Sequence, residues 1–132
     1  MSEEMVVYGK GEKGEKLELT WFGSTSVEAI KLLLDDYGKA GDEPDHYVLY
    51  RGSISGLLLK LKPVKDYVNL LSPKKRIALE VSDSDSDPGQ ELYDVMSLSG
   101  GFESYAEWRD FYDLIRFYGK SEIKELEFLD SY

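Results

Sequence analysis

The side chains best suited to chemistry are cations concentrated in one part of the chain. Residues 51–76 carry seven basic side chains and a single acid, Asp66, whereas residues 77–132 carry four basic and fourteen acidic side chains. A local cluster of cations can bind phosphate even when the whole protein has a net charge of −10. The alternative interpretation is a solvated strand-and-loop surface that only aids solubility. The predicted phosphate contacts are Arg51, Lys60, Lys62, Lys74, Lys75 and Arg76.

The acidic side chains allow a second function. A surface of carboxylates could imitate phosphate and bind a basic partner, such as a nucleic-acid-binding enzyme that this protein inhibits or regulates. The basic block argues against a pure phosphate mimic, so both interpretations stay open. The residues that would form the acidic surface are Glu91, Asp94, Glu103, Glu107, Asp110 and Asp113.

Other catalytic or metal-binding patterns are incomplete. Asp83, Asp85 and Asp87 have the spacing of the first calcium ligands of an EF-hand, but Pro88 occupies the glycine position of that loop. A solvated acidic turn is the favoured interpretation. His46 is the only histidine, so a site with several histidines is excluded, and the segment GKGEKG lacks the spacing of a P-loop. The sequence therefore predicts no cofactor and no metal.

Length and composition set the expected class of protein. The chain has 132 residues, of which 42% are hydrophobic, and these values favour one globular domain over residues 1–132. It has no cysteine, and its first residues lack the basic start and apolar run of a signal peptide. We therefore expect a cytoplasmic domain.

Hydrophobic periodicity predicts an α+β fold. Alternating or apolar runs predict six strands, at residues 5–8, 16–22, 47–50, 57–62, 76–81 and 123–129. The capping-box spacing of Thr25 and Glu28 predicts a helix that ends at Gly38, and residues 64–71 predict a short second helix. In the strand at 16–22, Leu17, Leu19 and Trp21 alternate with polar residues, so Trp21 is expected in the core.

Aromatic residues dominate the last predicted helix. Ser104 and Glu107 form another capping box, and seven aromatic residues lie between Phe102 and Tyr118. Most of them recur at helical spacing on one stripe, which is typical of packing against a core. Aromatic residues that stack on bases usually lie on strands or loops. The stripe therefore predicts a structural helix, and a binding site elsewhere.

The order of these elements resembles the ASCH domain family of PUA-like β-barrels. The resemblance is carried by Gly41, Asp42, residues 47–51 and residues 101–105, and it extends roughly over residues 21–129. It implies a small, partly open β-barrel of about six mainly antiparallel strands, two or three flanking helices and a cleft beside the first helix. Members of the group bind nucleic acid or remove acyl groups from modified nucleosides.

The family's hallmark run, GKKTxExR, is incomplete here. Placed on residues 23–28 it keeps Glu28, but Ser24 and Thr25 stand where the lysines belong and Ile30 where the arginine belongs. Placed on residues 38–43 it keeps Lys39 but neither the threonine nor the arginine. The residues of a possible cleft are Trp21, Thr25, Glu28 and Lys39. The favoured function is a non-catalytic module that binds RNA or a nucleotide-like ligand. A weaker alternative is a nucleoside-deacylating hydrolase with Lys39, or with Thr25 and Glu28, in the cleft.

Overall fold

The computed structural model describes residues 3–41, 43, 45–81 and 89–131. Within these residues, five strands, five α-helices and one 3-10 turn follow each other. In order they are β1 (Glu4–Lys10), β2 (Lys16–Phe22), α1 (Ser24–Tyr37), β3 (Lys39–Ala40), β4 (His46–Tyr50), the 3-10 turn (Arg51–Ser53), α2 (Ile54–Asn69), α3 (Pro73–Val81), α4 (Gln90–Leu98), α5 (Tyr105–Lys120) and β5 (Glu125–Ser131).

The strands form one antiparallel sheet in the order β2-β1-β5-β4-β3. Within the described residues the sheet is open, with β2 and β3 at its edges, and it is not closed into a barrel. The α+β class is thus confirmed, with five strands and five helices. Side chains on one face of the sheet, including Met5, Val7 and Phe128, join buried residues of the helices in a single hydrophobic core.

The predicted strand at residues 57–62 is wrong, because this segment lies in the middle of α2. Ile54, Leu57, Leu61 and Val64 are buried at helical spacing, whereas Leu59 is 70% exposed. The alternation of leucine and lysine in LLLKLK hid this period. The helix continues through Pro63, which has no N–H to donate to the backbone carbonyl of Leu59, and Leu59 lies on the side of the helix that faces water.

The predicted strand at residues 76–81 is also wrong, because α3 covers it. Ser72 accepts a hydrogen bond from the backbone N–H of Lys75 at 3.4 Å, and Pro73 occupies the first helical position, where its fixed φ is favourable. Ile77 and Val81 are 64% and 75% exposed, and α3 has no buried residue. The alternation of apolar and other residues at 76–81, which predicted a half-buried strand, therefore does not match the observed burial.

Trp21 lies outside the core, contrary to the prediction. Val7 is opposite Thr20 and Tyr8 is opposite Glu18, so Leu19 is an extra residue in β2, and the two strands form a β-bulge. One extra residue reverses the faces of the side chains that follow it. Trp21 consequently points to the face away from the helices and is 60% exposed.

The helix starts were predicted with mixed success. In α1 the residue before the helix is Gly23, and no side chain caps the first turn, so the capping box of Thr25 and Glu28 is wrong. In α5 the hydroxyl of Ser104 accepts a hydrogen bond from the N–H of Glu107 at 3.2 Å, as predicted. The aromatic stripe of α5 is buried in the core, which confirms its structural role. Its fully buried aromatic residues are Trp108, Phe111 and Tyr118.

Two further outcomes concern the remaining elements. Helix α4 was not predicted, although Leu92 and Met96 are buried one turn apart on it. The strands predicted at 5–8, 16–22, 47–50 and 123–129 are confirmed to within three residues.

The aspartates considered for calcium, Asp83, Asp85 and Asp87, lie outside the described residues. In the part of the chain that is described, no helix combines the length and apolar character needed to cross a membrane.

Candidate functional site: a cation-lined groove between two helices

Helices α2 and α5 pack side by side in opposite directions. Ile54 and Leu58, near the start of α2, line one cavity together with Gly119, near the end of α5. Val68, near the end of α2, lines another cavity with Tyr105 and Trp108, near the start of α5. The two cavities follow each other along the same pair of helices, and we call this depression the α2–α5 groove.

The first cavity of the groove has a volume of about 390 Å³ and an unusual balance of charge. Its lining contains three cations and no acid, and Ile54 and Leu58 form an apolar wall. The complete lining consists of Arg51, Ile54, Ser55, Leu58, Arg116, Gly119 and Lys120. In a protein with a net charge of −10, this cavity is a locally positive concavity.

Arg51 is held in place without losing its charge. Its guanidinium donates to the backbone carbonyl of Gly119 at 3.4 Å and to that of Ser121, at the C-terminal end of α5. The same group lies 5.2 Å from the centre of the Tyr118 ring. These partners are carbonyl dipoles and a π-face, and no carboxylate of the described residues pairs with it. The positive charge therefore remains available to a ligand.

Tyr118 connects the cavity to the sheet. Its hydroxyl lies 3.1 Å from the carbonyl oxygen of Leu49 and 2.8 Å from that of Lys124, so it can donate to either one. Burial raises the pKa of Tyr118 to about 12, so the hydroxyl stays a donor at any physiological pH. Arg51 thus rests on a ring that is itself fixed to β4 and to the segment that leads into β5.

The second cavity, of about 190 Å³, differs in charge. Lys65 and Arg109 line it, but so do Glu80 and Asp113. Glu80 of α3 accepts from Arg109 at 3.0 Å and from the hydroxyl of Tyr105 at 2.9 Å. These contacts hold α3 against α5 and neutralise Arg109. The second cavity therefore has little capacity to attract an anion.

The predicted basic residues do not form one face. Arg51 lines the first cavity, and Lys62 lies one helical turn beyond Leu58 on the same side of α2, where it pairs with Asp66 at 2.7 Å. Lys60 is two positions before Lys62, and this spacing turns it to the other side of the helix. The remaining three lie in the first turn of α3, beyond the far end of α2. They are Lys74, Lys75 and Arg76, which are exposed and have no ion-pair partner among the described residues.

The sequence interpretation missed two cations of the first cavity, Arg116 and Lys120. Both belong to residues 77–132, the part of the chain that the sequence analysis counted as acidic. They lie four residues apart, which places them on one side of α5, and a lysine–arginine pair at this spacing was the available signal. What the sequence could not supply was the packing of α5 against α2, which brings them to Arg51.

The residues of the expected cleft do not converge. Thr25 donates to the carboxylate of Glu107 on α5, and Glu28 is exposed one turn later. Lys39 lies beyond the other end of α1, about 20 Å further along the helix axis, over the ring of Tyr50. Trp21 points away from the helices. No acid–base pair suited to catalysis forms from this set.

The six acids of the alternative function are divided between α4, the segment before α5 and α5 itself. Four of them already contact side chains of this chain. Glu91 accepts from Tyr67 at 3.1 Å, Glu107 accepts from Thr25, and Asp110 lies 3.5 Å from Arg109. Asp94 accepts from Gln90 at 2.7 Å. Contacts of this kind occupy carboxylate oxygens that a partner would otherwise use, and Arg109 also offsets the charge of Asp110.

A second cluster of charges lies on the face of the sheet away from the helices. Glu127 has a side chain only 4% exposed, and its carboxylate lies 2.7 Å from Lys16, 3.4 Å from Lys10 and 3.6 Å from His46. The neighbouring Glu125 also pairs with Lys10, at 3.3 Å. The charges of this cluster largely cancel each other. Among the described residues, no group of three or more His, Cys, Asp or Glu side chains has the geometry of a metal site.

Comparisons with known proteins do not assign this chain to a family. The resemblance to ASCH domains thus stays a prediction from the sequence. No model of a known protein family matches the chain, and comparisons with characterised proteins and with solved structures gave no significant match.

Proposed function

We propose that the protein is a non-catalytic module that binds single-stranded RNA along the α2–α5 groove. The observation that supports this most directly is the first cavity, which gathers Arg51, Arg116 and Lys120 without any acidic lining residue. Phosphates of the RNA backbone would contact these cations. Lys62, one turn further along α2, would extend the row by exchanging its pairing with Asp66 for a phosphate. The exposed cations at the start of α3 would provide an outlying contact.

The overall negative charge is compatible with this proposal. Interactions between exposed charges are screened over about 8 Å at physiological ionic strength, so distant acids weaken binding less than adjacent cations strengthen it. Many acids of the described chain are also paired internally, as Glu80 and Glu127 are. The net charge of −10 nevertheless reduces the rate of association with RNA.

The resemblance to PUA-like domains supports the same class of ligand, and the proposal includes the finer PUA-like assignment and a cytoplasmic location. It assigns no chemical step, because Thr25, Glu28 and Lys39 do not converge. The alternative, an acidic surface for a basic protein partner, has the net charge in its favour. It is the interpretation to adopt if RNA does not bind.

The test is fluorescence anisotropy with a labelled single-stranded RNA at low and at physiological salt. The variant Arg116→Glu, Lys120→Glu reverses two cavity cations that are not needed for the core. The matched control, Lys13→Glu, Lys124→Glu, makes the same change of charge at exposed positions of a neighbouring cavity, which shares Arg51 with the groove but not Arg116 or Lys120. We expect the cavity variant to lose most of the affinity. Loss of two phosphate contacts also reduces the slope of log K against log salt by about 1.4.

A second variant, Lys74→Glu, Lys75→Glu, Arg76→Glu, determines whether the bound RNA reaches α3. Equal losses in the cavity variant and in the control would show a nonspecific effect of charge and would refute the groove as the site. Absence of RNA binding to the native protein at low salt would refute the function itself. Circular dichroism of each variant checks that the fold is retained.

A further inference from the structure

We infer that the first cavity of the groove is a subsite for a phosphomonoester, the terminal phosphate of an RNA strand or of a free nucleotide. This inference rests on the proposed function, because it specifies which phosphate the groove takes at one end. An internal phosphodiester would then bind along the rest of the groove.

The balance of charge favours a dianion. Three cations line the cavity without a compensating acid. A phosphomonoester carries a charge of about −1.5 to −2 at neutral pH, because its second pKa is about 6, whereas an internal phosphodiester carries only −1. A terminal phosphate therefore matches the charge of this cavity better than an internal one does.

The donors around the cavity are suited to a terminal phosphate. A guanidinium has five N–H groups, and Arg51 uses two for the carbonyls of Gly119 and Ser121, so three remain. Ser55 adds a hydroxyl to the lining. A phosphomonoester presents three free oxygens, and Arg116 and Lys120 can approach it from α5. Because Arg51 is already fixed by α5 and Tyr118, ordering it on binding costs little.

The size and the wall of the cavity are consistent with a nucleotide end. A volume of about 390 Å³ lies in the range of about 300–1,000 Å³ that is typical of small-molecule sites. Ile54 and Leu58 give an apolar surface beside the cations, against which the sugar or base that carries the phosphate can pack. The second cavity, of about 190 Å³, is too small for the end of a nucleotide, and its two basic and two acidic lining residues balance in charge.

The other cations of the described chain are less suitable for binding a terminal phosphate. Lys10 and Lys16 are held by Glu127, and Arg109 is held by Glu80. Lys74 and Lys75 are exposed on a helix and line none of the cavities described above. Of the two cavities of the groove, the first is the one that combines uncompensated charge, a fixed arginine and an apolar wall.

The experiment compares RNA strands of one sequence that end in a 5′-phosphate, a 3′-phosphate or hydroxyl groups only. Their affinities are measured by competition against a labelled strand, and inorganic phosphate and adenosine monophosphate are titrated separately by calorimetry. We expect one phosphate-ended strand to bind roughly tenfold more tightly than the hydroxyl-ended strand. This advantage disappears in Arg116→Gln, Lys120→Gln and persists in the matched control Lys13→Gln, Lys124→Gln.

A dependence on pH provides a second readout. The advantage of the terminal phosphate decreases below pH of about 6, where the phosphate takes up a proton and loses its second charge. Binding of adenosine monophosphate without binding of any strand would identify a free nucleotide as the ligand, so that the subsite stands and the RNA function fails. Equal affinity of the protein for all three strands would overturn the subsite and leave RNA binding intact. Failure of every probe to bind would overturn both.

Discussion

Glu127 allows a quantitative test of the charge cluster on the outer face of the sheet. Burial alone would raise the pKa of this carboxyl, but Lys16 and Lys10 outweigh burial and hold the pKa below its ordinary value of 4.5. A carboxyl whose pKa is lowered by folding stabilises the folded state above its unfolded pKa. This contribution is lost as the pH falls from about 4.5 through the folded pKa.

The substitution Glu127→Gln removes the negative charge and keeps the shape of the side chain. A hydrogen bond to a charged group contributes about 1.5–3 kcal/mol, and Lys10 and Lys16 are partly exposed and can be hydrated when their partner is lost. We therefore expect a loss of about 2 kcal/mol at pH 7. For 132 residues, with an unfolding entropy of about 2.1 cal/mol/K per residue, this corresponds to a decrease of about 7 °C in Tm.

Urea denaturation of the native protein and of the variant across the acid range measures the difference in the free energy of unfolding. The difference is largest at pH 7 and decreases below pH of about 4.5, because the native carboxyl then becomes neutral as well. Glu12→Gln is the control, since Glu12 and Lys124 form a largely exposed pair that contributes about 0–1 kcal/mol. A difference for Glu127→Gln that is independent of pH, or absent at pH 7, would refute the role given to the two lysines.

Three further predictions concern other parts of the fold. Tyr118→Phe should lower the free energy of unfolding by about 1–2 kcal/mol, because carbonyls of Leu49 and Lys124 lose a donor, and thermal unfolding measures this. Trp21→Ala should change the free energy of unfolding by less than about 0.5 kcal/mol, because Trp21 is exposed, whereas Trp108→Ala in the core should lower it by about 3–5 kcal/mol. Similar losses of stability in the two variants would contradict the placement of Trp21 by the bulge. Amides of α3 should exchange with deuterium faster than those of α2, because no residue of α3 is fully buried, and protection equal to that of α2 would disprove this.

The sequence was sufficient to predict a helix or strand where one local signal dominated. The strand at residues 16–22 and the helix started by Ser104 each combine a clear period with a turn or cap, and both are confirmed. It failed at α2, where LLLKLK satisfies both the strand and the helix period. Burial of Leu57 and Leu61 with exposure of Leu59 resolves the ambiguity, and this pattern exists only after the helix has packed.

The same reason explains what was missed at the candidate site. Arg51 was identified from its place in the basic block, but its neighbours Arg116 and Lys120 are more than sixty residues away in the chain. They belong to a segment whose overall charge is acidic. Charge counted along the sequence cannot reveal a positive cavity whose cations come from two distant elements, the 3-10 turn before α2 and the end of α5.

The bulge in β2 also affects how copies of this protein can meet. Strand β2 has seven residues, contains no proline and lies at an edge of the described sheet, so its outer backbone groups could pair with a strand of another molecule. The extra residue at Leu19 interrupts the regular spacing of those groups. A straight incoming strand would meet only short matching stretches on either side of Leu19. We therefore expect the bulge to hinder edge-to-edge aggregation, because a second molecule cannot extend the sheet regularly at this edge.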